Sequence, residues 1–131
     1  MLDANVVIQG EKGAFDFNAW LARHANERFE LAAITVAELW HGVERATPRR
    51  RTARLNYIRA IISVIPVIPY TGQTAHTHAR IWAQLQKKGK MIDAHDLIVA
   101  ATALERHNEV ATFNRKHFDR VPGLTVIVPT L

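Results

Sequence analysis

The chain has 131 residues, 48% of them apolar, no cysteine and a formal net charge of +5. The length suits one ordinary domain with a real core, and the apolar content argues against disorder. The lack of cysteine excludes disulfides and thiolate metal sites and fits a reducing, cytoplasmic location. No basic region followed by a long apolar run opens the chain, so no signal peptide is expected. Its apolar runs fall short of the ~20 residues that span a bilayer. Seventeen Lys and Arg against twelve Asp and Glu favour a polyanionic partner, nucleic acid first among them.

Leu2 to Ile8 reads as a short strand running into a turn or helix. Phe17, Trp20, Leu21 and His24 recur at helical spacing within Phe15 to Asn26. Phe29 to Ile34, "FELAAI", suits a short buried strand. Thr35 to Arg45 then reads as a helix with Val36, Leu39, Trp40 and Val43 on one side. Pro48 opens another helix, whose apolar face is Leu55, Ile58, Ile61 and Ile62. Val64 to Ile68, "VIPVI", is β-branched, and its Pro66 argues for an edge strand.

Thr71 to Lys88 forms a long amphipathic helix through Ala75, Ile81, Trp82 and Leu85, ended by Gly89. "MIDAHDLIVAATAL" follows, with acids at the head of an apolar helix that runs to about Arg106. Glu109 to Thr112 and Thr125 to Val128 read as the last strands. Strands alternating with helices imply a parallel sheet covered on both faces, with ligands at the carboxyl ends of its strands. One domain over residues 1–131 is expected.

Four oxygen-bearing side chains fall near such strand ends. Asp3 follows the first strand, Glu38 lies one turn into the helix after the second, Asp96 lies in the first turn of the apolar helix, and Asn114 closely follows the "EVAT" strand. Converging carboxylates raise one another's pKa unless a cation neutralises them. All-oxygen ligands suit hard cations, Mg²⁺ or Mn²⁺, rather than zinc. Each residue also has a plainer role. Thr35-Val36-Ala37-Glu38 has the pattern of a capping box, Asp93 suits an N-cap, Asp96 suits the positive end of a helix dipole, and Asp3 and Asn114 suit turns. Capping is the favoured reading of Asp93.

"LDANVVI", "ITVAELWHGVERA", "HDLIVAATAL" and "TFNRKHFDRVPGL", in this order and at these spacings, resemble a PIN-domain protein, and more closely a VapC-type toxin ribonuclease. The resemblance covers nearly the whole chain. It implies a three-layer α/β/α sandwich with a central, mainly parallel sheet. It also implies metal-dependent endoribonuclease activity, a small VapB-like antitoxin partner, and a homodimer. By resemblance Asp3 and Asp96 match metal ligands, Glu38 the middle acid of the pocket, and Asn114 a fourth position where Asp or Asn is expected. Ala4 departs from the family, which commonly has Thr or Ser there. Only Met1 and Leu2 precede Asp3, which leaves the first strand short.

Arg115 and Lys116 adjoin Asn114 and are candidates for contact with the RNA backbone or for a solvated loop. The Pro48 to Arg51 run reads as a solvated helix face or an antitoxin contact. His76 and His78 point apart on their helix, and no HExxH occurs, so zinc is not expected. His95, beside Asp96, is a candidate RNA contact or a surface residue. A receiver-type signalling domain fails because Asn56 to Gln73 holds no Asp or Glu. A PIN-like module that binds RNA or antitoxin without cutting stands as the alternative to the enzyme.

Overall fold

The computed structural model describes residues 1–130. Its elements are α1 (Ala4–Glu11), α2 (Phe17–Arg23), β1 (Leu31–Ala32), α3 (Ala33–Arg45), α4 (Pro48–Val64), β2 (Val67–Ile68), α5 (Gly72–Lys87), α6 (Ala94–Glu105), β3 (Val110–Ala111), α7 (Arg115–Phe118) and β4 (Val126–Ile127). β1 pairs in parallel with β2, Leu31 opposite Val67, and β3 in parallel with β4, Val110 opposite Val126.

The first three residues join these two ladders. The Leu2 N–H donates to the Glu30 carbonyl at 2.9 Å, the Ala111 N–H to the Met1 carbonyl at 2.8 Å, and the Asp3 N–H to the Ala111 carbonyl at 2.9 Å. The order across the sheet is therefore β2, β1, the N-terminal segment, β3, β4. β2 lies at the edge, as Pro66 required, and the Pro66 carbonyl still accepts from the Leu31 N–H at 2.9 Å.

Successive residues of a strand face opposite ways, and here they enter two different cores. Met1, Ala32, Val110 and Val126 pack with Ile81 and Leu85 of α5 and with Leu97, Val99 and Ala103 of α6. Leu2, Leu31 and Ala111 pack with Val6, Val7, Trp20, Leu39, Val43 and Ile58, from α1 to α4. This alternation makes the three layers of the α/β/α sandwich. α6 has buried residues on every side, down to Thr102, whose hydroxyl donates to the Ile98 carbonyl at 2.8 Å.

The strands are shorter than the apolar runs that announce them. Strand geometry in Leu2 to Ile8 ends at Asp3, which caps α1, and Val6 and Val7 are core residues of a helix. "FELAAI" keeps only Leu31–Ala32 as strand, because Ala33, an excellent helix former, already opens α3. Val64 belongs to α4 and is 72% exposed. On α5 the buried seats go to Thr74, Thr77, Ile81 and Leu85, so Ala75 is exposed and Trp82 is 49% exposed. Thr74 takes an inner seat because its hydroxyl is satisfied there by the Glu105 carboxylate.

Two fixed points orient α6. At its start Asp93 is the N-cap, accepting from the His95 and Asp96 N–H groups at 3.1 and 3.4 Å. Beyond its end, Arg106 and Asn108 both bond the buried Glu30 carboxylate, and the Arg106 bonds hold that carboxyl below its usual range. The loop before α6 turns at Gly89, whose φ of 64° is left-handed and strains any residue with a Cβ.

Candidate active site

The carboxyl ends of the central strands carry Asp3 and Thr112. Asp3 is 6% exposed. Its Oδ1 accepts from the Ala4 N–H at 2.8 Å, and its Oδ2 accepts from the Thr112 hydroxyl at 2.8 Å. Thr112 is fully buried, and the same hydroxyl accepts from the Asn114 N–H at 2.9 Å and the Asn5 Nδ2 at 3.3 Å. One donor and two lone pairs are thus all in use. The hydroxyl beside Asp3 that Ala4 does not supply comes from across the sheet.

Glu38 does not cap α3. The helix starts at Ala33 with Ala32 as N-cap and no side-chain cap bond, which puts Thr35 inside the first turn. The Thr35 hydroxyl is buried with no partner. The capping-box explanation of Glu38 falls with it, and Glu38 turns instead to His95, whose Nδ1 lies 3.2 Å from its Oε1. The capping box of this fold is at Thr71 and Thr74, on α5.

Asp96 sits in the first turn of α6, mostly buried, with its Oδ2 3.0 Å from His117 Nδ1. His117 comes from α7, and its Nδ1 also lies 2.9 Å from Asn114 Nδ2. Asn114 therefore reaches Asp3 through Thr112, while its amide and the Asp96 carboxylate compete for one His117 nitrogen. Asp93, the N-cap, is exposed. Arg115, at the start of α7, is paired with its C-cap residue Asp119 at 3.0 Å, and Lys116 is exposed with no ion pair among the described residues.

The electrostatics tie the acids together. Burial pushes the Asp3 carboxyl above its ordinary range; the Thr112 bond pulls it back, and the charges of Asp96 and Asp93 push it up again. Burial also raises Glu38, His95 opposes this, and Asp3, Asp96 and Asp93 each raise it further. No Lys or Arg is among the groups acting on either carboxyl. Among the described residues no three His, Asp or Glu side chains stand close enough together to hold an ion as they are. Their chemistry fits one nonetheless: oxygen donors of like charge, partly buried, and met by histidines rather than by Lys or Arg, suit a hard divalent cation.

Residues 1–124 match the PIN domain family. The chain belongs to the PIN domain family. This PIN domain is 30% identical over 128 residues to Ribonuclease VapC1 of Rickettsia felis, across 97% of this chain and 93% of the relative. It is 31% identical over 133 residues to the tRNA(fMet)-specific endonuclease VapC of Salmonella typhimurium, across 96% and 94% of the two chains. It also superposes on the DNA-bound VapBC structure from Salmonella typhimurium with a TM-score of 0.89 at 28% identity, across 98% of this PIN domain and 96% of that chain. No helix among its described residues is long and apolar enough to cross a membrane.

Sequence reasoning missed Thr112 and His117. Thr112 had a faint signal, a hydroxyl residue closing the "EVAT" strand two places before Asn114. His117 had none, because its partner lies 21 residues earlier in the chain.

Proposed function

We propose that this PIN domain is a metal-dependent endoribonuclease that hydrolyses RNA phosphodiester bonds as the toxin of a toxin–antitoxin pair. The observation that carries the reading is the mutual repulsion of Asp3, Glu38 and Asp96, which His95, set against Glu38, only partly offsets. The VapC relatives, named as ribonucleases, and the VapBC structural neighbours support the activity and a VapB-type antitoxin as partner.

Asp3, Asp96 and Glu38 would hold Mg²⁺ or Mn²⁺. When bound, such an ion supplies Lewis acidity, making water more acidic and offsetting charge on the phosphate. Thr112 orients Asp3, and His117 orients Asp96. Glu38 or bulk water would accept the proton of the attacking water. The Asn114 amide orients water or a phosphate oxygen. Lys116 and, with Asp119 displaced, Arg115 attract the RNA backbone, and binding weakens with salt as counterions compete.

A second reading, a PIN-fold module that binds RNA or antitoxin without cutting, draws on His95 and His117 already engaging Glu38 and Asp96. Cleavage of RNA by the purified chain with added Mn²⁺ decides between them. Asp3→Asn and Asp96→Asn should fold, with an unchanged circular dichroism spectrum, and lose cleavage. Full activity of either variant, or of the native chain in excess EDTA, removes the metal from the mechanism.

A further inference from the structure

Phe113 adjoins the proposed reaction centre in the chain and has no role in it so far. It lies between Thr112, whose hydroxyl holds Asp3 at 2.8 Å, and Asn114, whose amide meets His117, the partner of Asp96. Its backbone N–H donates to Asn5 Oδ1 at 3.2 Å, so its main chain is fixed on the same network. Its side chain is nevertheless 38% exposed, whereas Phe17 and Phe118 are 2% and 0% exposed.

The aromatic neighbour of Phe113 is Phe15, with ring centroids 5.2 Å apart and planes at 80°. In such an edge-to-face pair either ring keeps at least one face clear of the other. Phe15 is itself braced against Trp20, 6.0 Å away. The ring is therefore propped from one side and open on another. Next in the chain come Asn114, Arg115 and Lys116, so the exposed ring is followed by two exposed cations, of which Arg115 is paired with Asp119.

An aromatic face beside positive charge binds single strands, because every base has a π-face and every nucleotide a phosphate. In duplex RNA the base faces are covered by their neighbours. We propose that Phe113 is a base-stacking platform that seats an unstacked base of the RNA next to the proposed reaction centre. This positioning role rests on the nuclease reading above and extends it to a residue outside the acidic cluster.

The test compares the native chain with Phe113→Tyr, Phe113→Leu and Phe113→Ala. Tyrosine keeps the aromatic face; leucine fills the space against Phe15 without one. Steady-state cleavage of a short single-stranded oligoribonucleotide is measured with Mn²⁺. Binding of the same oligoribonucleotide carrying 2-aminopurine, whose fluorescence falls on stacking, is measured in the Asp96→Asn background. The Leu and Ala variants should raise KM about 5- to 100-fold with kcat changed less than about threefold, and should lose the quenching. The Tyr variant should stay within about twofold of the native chain on both readouts, and a duplex of the same sequence should be a poor substrate. Native KM and quenching in the Leu variant, or equal cleavage of duplex and single strand, overturn the proposal. If the native chain cuts no RNA but quenching still separates Tyr from Leu, the nuclease reading fails and the stacking platform stands. If all four proteins cut alike, the platform fails and the nuclease stands.

Discussion

Thr112→Val keeps the shape of the side chain and deletes one buried hydroxyl. Three hydrogen bonds go with it: to Asp3 Oδ2 at 2.8 Å, from the Asn114 N–H at 2.9 Å, and from Asn5 Nδ2 at 3.3 Å. A bond to a buried charge contributes about 1.5–3 kcal/mol and a neutral one about 1 kcal/mol, with the longest contact adding little. The expected loss near neutral pH is roughly 3–4 kcal/mol. Against the ~5–15 kcal/mol that hold an ordinary domain together, that is a large share. It should lower the unfolding midpoint by about 10–15 °C.

The loss should also depend on pH. The Thr112 bond is what pulls the raised Asp3 carboxyl back down, so in the valine variant that carboxyl rises further. An acid raised by folding favours the folded state below its unfolded value, and that contribution disappears as pH climbs through the folded value. The deficit of the variant should therefore be fullest at neutral pH and shrink at acid pH, as Asp3 becomes protonated in both proteins. Thermal unfolding followed by tryptophan fluorescence at both pH values measures it, with Thr112→Ser, which keeps the hydroxyl, as the control. Native stability in the valine variant, or a deficit that does not change with pH, refutes the claim that this hydroxyl steadies the charge on Asp3.

Glu38→Gln removes a charge that burial and three acidic neighbours oppose, and the metal-free protein should gain up to about 1 kcal/mol near pH 7.5. Because the carboxyl is raised, the gain should fade as pH drops and Glu38 protonates on its own; urea unfolding at two pH values checks this, and a gain that grows on acidification would count against it. Thr35→Val deletes a buried hydroxyl that has no partner, so the protein should be as stable as the native chain or up to about 1–2 kcal/mol more so. A clear loss of stability in that variant would show that the hydroxyl has a partner after all.

The long helices were legible because periodicity is written into them. Leu39 and Val43 on α3, and Ile58 and Ile61 on α4, are buried as their spacing requires. The strands were legible in place and order but not in extent. A run such as "FELAAI" is apolar whether it crosses a sheet or opens a helix, and only the packing around Ala33 decides. Trp82 was misplaced for a related reason: two threonines occupy the inner face of α5, and no count of apolar residues favours a threonine over a tryptophan.

Of the candidate site, the placement of Asp3 and Asp96 at the ends of central elements was legible, although among the described residues the acids do not form a group close enough to hold an ion as they stand. Acids next to strand ends come together in a parallel sheet, whatever the distance between them in the chain. Glu38 had two readings, and the start of α3 removed one of them. What held those acids in place was not legible. The Thr112–Asp3 contact spans 109 residues and the His117–Asp96 contact 21. Such pairings exist only once β3 lies beside the N-terminal segment and α7 beside α6.

Titration of the metal-free protein with Mn²⁺, followed by the resonance signal of the free ion, tests the shared-cation claim most directly. The native chain should take up Mn²⁺ and melt at a higher temperature with it, as any ligand of the folded state requires. Asp3→Asn and Asp96→Asn should each weaken uptake more than about tenfold. Undiminished uptake in both variants would place the ion elsewhere and contradict the account.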